Sequence, residues 1–316
     1  MNLTNKNLSG RPLWLLCTLA AAFVSAVLRR WQLGSAFEPD TGLAIPGAQA
    51  SVILTCGLVM TAAWFIILSM YQPASTRPGT AGRARRWDLA FLDAGDPVYP
   101  ILVILGAFLA LAAVPFLLRL GIGQWRTYRE ALAAKALNPS VQLHSNNGVL
   151  TIATAAGALL SFLGLLQMGR DGIHPGRRGK MGFSAALPGV AGCVWLMESF
   201  RAHAANPVQW DYAPLLLSIA CGMLFYMDFA GISAGAARPR RLLWEAAMTF
   251  TLSAPALVTA LAYKSRADIL LLLAQALAAA GVLWRLPPNL ENPPRQKRTP
   301  IPRPGDASIQ EETTDE

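Results

Sequence analysis

Two acidic residues lie within otherwise apolar stretches of the sequence, where an ionised side chain is costly and is a candidate for function. They are Asp228 and Glu245. Their stretches are consecutive along the chain, and both residues lie near the ends that a short connection joins. The carboxylates are therefore predicted at similar depth, where they could share a proton or line a cation path, as carboxylates do in transporters.

A simpler interpretation makes the same pair structural. Three arginines follow in the connection between the two stretches: Arg238, Arg240 and Arg241. A guanidinium beside each carboxylate would neutralise its charge and leave no group free to handle a solute. The sequence leaves both interpretations open.

Two further features could matter inside apolar stretches. Glu198 precedes Arg201 by three residues, a spacing at which the side chains of a helix can form a local ion pair, and a structural role is predicted. Pro188 and Gly189 are a candidate helix break of the kind that membrane transporters use at binding sites, with an ordinary proline kink as the alternative.

Catalytic and cofactor signatures are not found in the sequence. The three histidines have no metal-ligand spacing, and no HExxH, GxSxG, Walker A or Rossmann motif occurs in its required context. The four cysteines stand in apolar stretches rather than in loops, which is unlike a disulfide framework. The sequence therefore predicts no catalytic residue, no metal site and no cofactor.

Composition identifies the elements that must position these residues. Of the 316 residues, 53% are hydrophobic and only 14% are charged, and the mean hydropathy is +0.38. Soluble domains carry about a quarter charged residues. Lipid is therefore the predicted solvent, and the net charge of +9 indicates basic loops at a membrane surface rather than a nucleic-acid partner.

The predicted fold is all-α: a polytopic transmembrane bundle of about eight spans. A spanning helix needs roughly 20 mostly apolar residues. Suitable stretches within a transmembrane domain of residues 1–286 are 13–28, 50–71, 98–118, 149–169, 182–200, 212–236, 242–263 and 267–286. The first could instead be a cleaved signal peptide. A short amphipathic helix near residues 124–137 is predicted either at the interface or as an extension of the third span.

The positive charges alternate between the connections. Connections that would share a side with both termini carry about twice as many Lys and Arg residues as the others, which predicts cytoplasmic N- and C-termini. We expect a cell membrane of prokaryotic inner-membrane type. The proline-rich residues 287–316 are predicted to be a disordered cytoplasmic tail, and the basic cytoplasmic segments could contact anionic lipid headgroups.

Three function classes are compatible with these features. The first is a non-catalytic membrane component, such as a subunit, scaffold or sensor, which would have a membrane-protein partner. The alternative is a permease for a small solute or ion that uses Asp228 and Glu245. An intramembrane enzyme is disfavoured because no nucleophile and base are found together.

Overall fold

The computed structural model describes residues 11–38, 43–72, 97–138, 147–173, 181–203, 209–233 and 238–291. Within these ranges the chain forms eight helices and no strand beyond an isolated bridge between Phe37 and Ala44. The predicted all-α bundle is confirmed. The helices are α1 (Arg11–Ser35), α2 (Gln49–Tyr71), α3 (Val98–Leu137), α4 (Gly148–Ile173), α5 (Met181–His203), α6 (Gln209–Ser233), α7 (Pro239–Ala262) and α8 (Arg266–Glu291).

Seven of these eight helices are long and apolar enough to cross a membrane, and α5 is the exception. α5 has 23 residues, and the part of it whose side chains are described, residues 184–203, is too polar to qualify. It contains Pro188, Glu198 and Arg201. The remaining helices are those of an integral membrane protein, and a lipid bilayer is the environment they fit.

Several helices continue beyond their predicted ends, and α1 reaches Ser35 instead of ending at residue 28. α3 is 40 residues long, about 60 Å at 1.5 Å per residue, so the amphipathic segment near residues 124–137 is an extension of α3. α8 runs through Pro287 and Pro288 to Glu291, although the tail was predicted to begin at residue 287. Residues 292–316 of that predicted tail lie outside the described residues.

The helices pack mainly in chain order. Each helix from α3 to α8 packs on the next, and α8 returns to α3, so that α3–α8 form a closed ring. α1 lies outside this ring against α7 and α8, and α2 packs on α1 and α7. Small residues permit close approach at the ring contacts, as membrane helices require. For example, Gly106 of α3 lies against the backbone carbonyl of Ala274 in α8.

Burial differs strongly between the helices. In α7 and α8, 67% of the most apolar 18-residue window is buried, against 11% in α2. α7 is nevertheless the least apolar of the seven candidate spans, with a mean hydropathy of 1.3. Its buried hydroxyls, which include Thr249, Thr251 and Ser253, face other helices rather than lipid. The polar residues of the bundle are therefore concentrated where protein surrounds them.

Candidate polar site in the helix ring

Arg241 connects the two predicted carboxylates at the end of the ring where α6 leads into α7. Its Nε lies 2.7 Å from Oε1 of Glu245, one turn further along α7, and 2.8 Å from Oδ2 of Asp228 on α6. Glu245 is fully buried, whereas the side chains of Asp228 and Arg241 are 18% and 39% exposed. The structure therefore brings Asp228 and Glu245 together around one guanidinium, at the edge of the protein interior.

The geometry gives the two carboxylates unequal roles. The Nε of an arginine carries a single hydrogen. Arg241 donates it to Glu245, and Oδ2 of Asp228 lies within ion-pair distance without a hydrogen bond to any described residue. Arg238 and Arg240 are exposed, and no described ion pair links them to either carboxylate. One guanidinium therefore faces two carboxylates, an arrangement in which a shared proton would relieve their repulsion.

A row of polar side chains continues from Glu245 into the membrane interior. Glu245, Thr249 and Ser253 are four residues apart and so lie on one face of α7, and all three are buried. Ser253 Oγ donates a hydrogen bond of 2.7 Å to the backbone carbonyl of Thr249. This face leads from the Arg241 cluster towards the middle of the ring.

Gln275 of α8 connects α6, α7 and α8 through hydrogen bonds near the middle of the ring. Its Nε2 donates to Oγ of Ser218 on α6 over 2.7 Å and to Oγ of Ser253 on α7 over 3.1 Å. Gly222 of α6 leaves the space for this amide, because a Cβ there would lie 2.6 Å from Gln275 Oε1. The buried amide nitrogen is thus satisfied by hydroxyls from two neighbouring helices, as low-dielectric surroundings demand.

A small cavity lies beside Gln275, between α3, α4, α5, α6 and α8. Its volume is about 40 Å³, and Thr154, Trp195 and Tyr226 contribute polar or aromatic walls. At roughly 10–15 Å³ for each water centre, it can hold about three water molecules. It has no room for a small organic solute.

A second acidic pair lies at the opposite end of the ring, where α7 turns into α8. Asp268 accepts hydrogen bonds from Nε1 of Trp195, over 3.1 Å, and from Oγ of Ser265. Glu198 lies within 3.1 Å of Oγ1 of Thr151 on α4. Polar groups therefore occur at both ends and at the middle of the ring.

Two features predicted on α5 take a different form. Arg201 is exposed, and no ion pair joins it to Glu198 in the part of the chain that the structure describes. Glu198 instead turns to Thr151, because α4 packs against that face of α5. At Pro188 and Gly189 the helix continues without interruption, so no break is present there. Pro188 instead lines the cavity beside Gln275.

Several buried polar residues were not singled out from the sequence. Arg29 directly follows the predicted first span, yet it is fully buried on α1 and donates from Nε to Oγ1 of Thr259 on α7 over 2.9 Å. Arg285, near the end of the predicted last span, is 1% exposed and its Cζ lies 5.3 Å from the ring centroid of Tyr99. Gln275 could have been noticed, because it is an amide in the middle of an apolar stretch.

The remaining chemistry is limited. Within the described ranges, no group of three or more His, Cys, Asp or Glu residues is placed to hold a metal ion.

Comparison with protein-family models, with curated proteins and with solved structures found no match to this chain.

Proposed function

We propose that this membrane protein is a non-catalytic component, such as a subunit, scaffold or sensor, that acts through a membrane-protein partner. One observation carries the proposal: Arg241 pairs with both carboxylates of the predicted transport site. The adjacent interior supports it, because the cavity of about 40 Å³ accommodates water but no solute. The polar residues of the ring then serve to hold its helices in register.

The α1–α2 pair offers the surface for such a partner. It lies outside the ring, and α2 exposes a long apolar face that includes Val59, Met60 and Met70. A partner helix could pack there in place of lipid without disturbing the ring. Trp64 of the same helix, 54% exposed, would provide an aromatic anchor.

Purification in native polymer nanodiscs followed by mass photometry tests this proposal. A particle that contains a second protein species in addition to the 33.9 kDa chain is expected. A photo-crosslinking residue at Met60 should capture that species, whereas one at Phe108, exposed on α3 of the ring, should not. Particles that contain only this chain, with no adduct at Met60, would contradict the proposal.

A permease is the second candidate, and a specific observation favours it. Polar groups run from the Asp228–Arg241–Glu245 cluster, along the Thr249 and Ser253 face of α7, to Gln275 and the water-sized cavity. Glu198 and Asp268 continue the row at the other end. Such a row suits a proton or a small cation better than an organic solute.

Reconstitution into liposomes with an internal pH dye separates the two candidates. If the chain conducts protons, Glu245→Gln and Gln275→Leu should each abolish most of the flux. Ser25→Ala, at a buried hydroxyl of α1 outside the ring, should leave the flux unchanged. Asp228→Asn provides a cellular test, since unchanged growth and abundance of that variant would argue against a solute or proton role.

Location and orientation belong to the same proposal. We place the chain in a cell membrane of prokaryotic inner-membrane type with both termini in the cytoplasm, on the alternation of Lys and Arg between its connections. In this orientation the Arg241 cluster lies at the cytoplasmic side. Arg238 and Arg240, both exposed beside it, would contact anionic lipid headgroups there.

A further inference from the structure

A large cleft opens at the end of the bundle where α7 turns into α8, opposite the Arg241 cluster. It measures about 850 Å³ and lies between the second half of α3 and the α7–α8 turn. Arg119 of α3 and Lys264 and Arg266 of the turn line it, and none of its lining residues is acidic. We refer to it as the basic cleft.

Within the described part of the chain, the three cations of the basic cleft have no carboxylate partner. No described ion pair includes Arg119, Lys264 or Arg266, and all three are exposed. The nearest acidic residue in sequence, Asp268, is instead engaged by Trp195 and Ser265. Three unpaired cations around one concave surface create a positive potential that an anion would neutralise.

The backbone also holds one of these cations in an unusual conformation. Lys264 has a φ of +57°, the sole positive φ among the described non-glycine residues. That left-handed conformation is unfavourable for a residue with a Cβ and is normally adopted by Gly or Asn. Hydrogen bonds from the amides of Lys264 and Ser265 to carbonyls of Leu261 and Ala260 maintain the turn.

The rest of the basic cleft is apolar and aromatic. Phe116 and Leu120 line it and are 38% and 50% exposed, and Arg266 Cζ lies 5.8 Å from the centroid of the Phe116 ring. Tyr128 and Tyr263 lie at its edge, residues typical of the membrane–water interface. Since Arg119 directly follows the apolar part of α3, the cleft lies at the level of lipid headgroups.

We propose that the basic cleft binds an anionic phospholipid. The phosphate lies among Arg119, Lys264 and Arg266, and the acyl chains lie along Phe116 and Leu120. The charge and the apolar wall together select a lipid over soluble phosphate, which would use only the cationic part. This site is independent of the proposed function, because the ring residues of that proposal do not line the cleft.

Native mass spectrometry of the full chain in micelles that contain equal amounts of phosphatidylglycerol and phosphatidylcholine tests the proposal. The wild-type chain should retain phosphatidylglycerol preferentially. Arg119→Gln and Arg266→Gln should each weaken that retention about fivefold. Arg126→Gln, which removes the same charge from an exposed position of α3 outside the cleft, should leave it unchanged.

The Lys264→Asn variant distinguishes the effect of the lost charge on lipid retention from an effect on folding. Asn tolerates the left-handed conformation, so this variant should keep or raise the melting temperature while it loses retention about fivefold. The proposal is overturned if the cleft variants retain phosphatidylglycerol as the wild type does, or if Arg126→Gln loses it equally. It is also overturned if inorganic phosphate or glycerol phosphate displaces the lipid at equal concentration, because the apolar wall would then contribute nothing.

Discussion

Gly164 of α4 lies directly against the backbone carbonyl oxygen of Ser184 in α5. That carbonyl is four residues before Pro188, which has no N–H to donate to it within the helix. The Cα hydrogens of a glycine can approach such an oxygen closely and form a weak hydrogen bond. The contact brings α4 and α5 close together one turn before Pro188, where a side chain on α4 would meet the backbone of α5.

Gly164→Ala should destabilise the bundle by about 1 to 3 kcal/mol, because a methyl group would collide with backbone rather than with a flexible side chain. Thermal unfolding of the detergent-solubilised chain, followed by tryptophan fluorescence, measures the effect. Gly57→Ala is the control, since its Cβ would meet only Leu28 Cδ1 at an ordinary 3.8 Å. Equal melting temperatures for the two variants would show that the Gly164 contact is not tight.

Arg241→Ala should lower the free energy of unfolding by about 1.5 to 3 kcal/mol, because it leaves two neighbouring carboxylates without their shared cation. Glu245→Gln should cost less, since the amide oxygen still accepts from Nε. The double variant should be more stable than Arg241→Ala alone, because removing one charge relieves the repulsion. Chemical denaturation of the wild type, the two single variants and the double variant completes a double-mutant cycle. Strictly additive effects of the two substitutions would refute the coupling between Arg241 and Glu245.

Gln275→Leu should destabilise the ring by about 1 kcal/mol. The substitution nearly preserves volume but removes the hydrogen bonds to Ser218 and Ser253, and bonds between membrane helices contribute about 0.6 kcal/mol each. The control is Gln167→Leu on α4, a half-buried glutamine for which the described part shows no hydrogen bond. Gln167→Leu breaks no described hydrogen bond and should not be destabilised. If Gln275→Leu gains as much stability over the wild type as Gln167→Leu does, a structural role for the Gln275 amide is ruled out.

The predicted orientation can be measured with two reporters. A fluorescent protein that matures only in the cytoplasm should be bright at the C-terminus. An alkaline phosphatase inserted between residues 139 and 146, in the connection from α3 to α4, should be active because that connection is predicted outside. A dark C-terminal fusion together with an inactive phosphatase insertion would reverse the proposed orientation.

Hydropathy predicted the helices well because lipid imposes a simple condition on their composition. Every predicted span is found as a helix, and the largest differences are the extensions of α3 to Leu137 and α1 to Ser35. Outside the hydrocarbon region a helix does not need to be apolar, so composition does not mark where the helices end. The amphipathic pattern near residues 124–137 indicated a helix but left open whether it was separate from the third span.

The contacts between polar side chains were harder to predict than the positions of the helices. Arg241 does pair with Asp228 and Glu245, as one of the two interpretations held, because all three lie near a single connection. Glu198 turns instead to Thr151, 47 residues away in the chain, which no local spacing indicates. The burial of Arg29 was likewise invisible, because it depends on α7 lying against α1.

The two most extensively buried spans, α7 and α8, come after the other six described helices in the sequence. A ribosome therefore delivers α1 to α6 to the membrane before the helices that complete their packing have been synthesised. α1 and α2 join the ring through α7 and α8, and α3 closes it through α8. Closure of the ring thus waits until α7 and α8 have been synthesised, and a nascent chain stalled before residue 239 would be inserted with its ring open, as a target for membrane quality-control proteases.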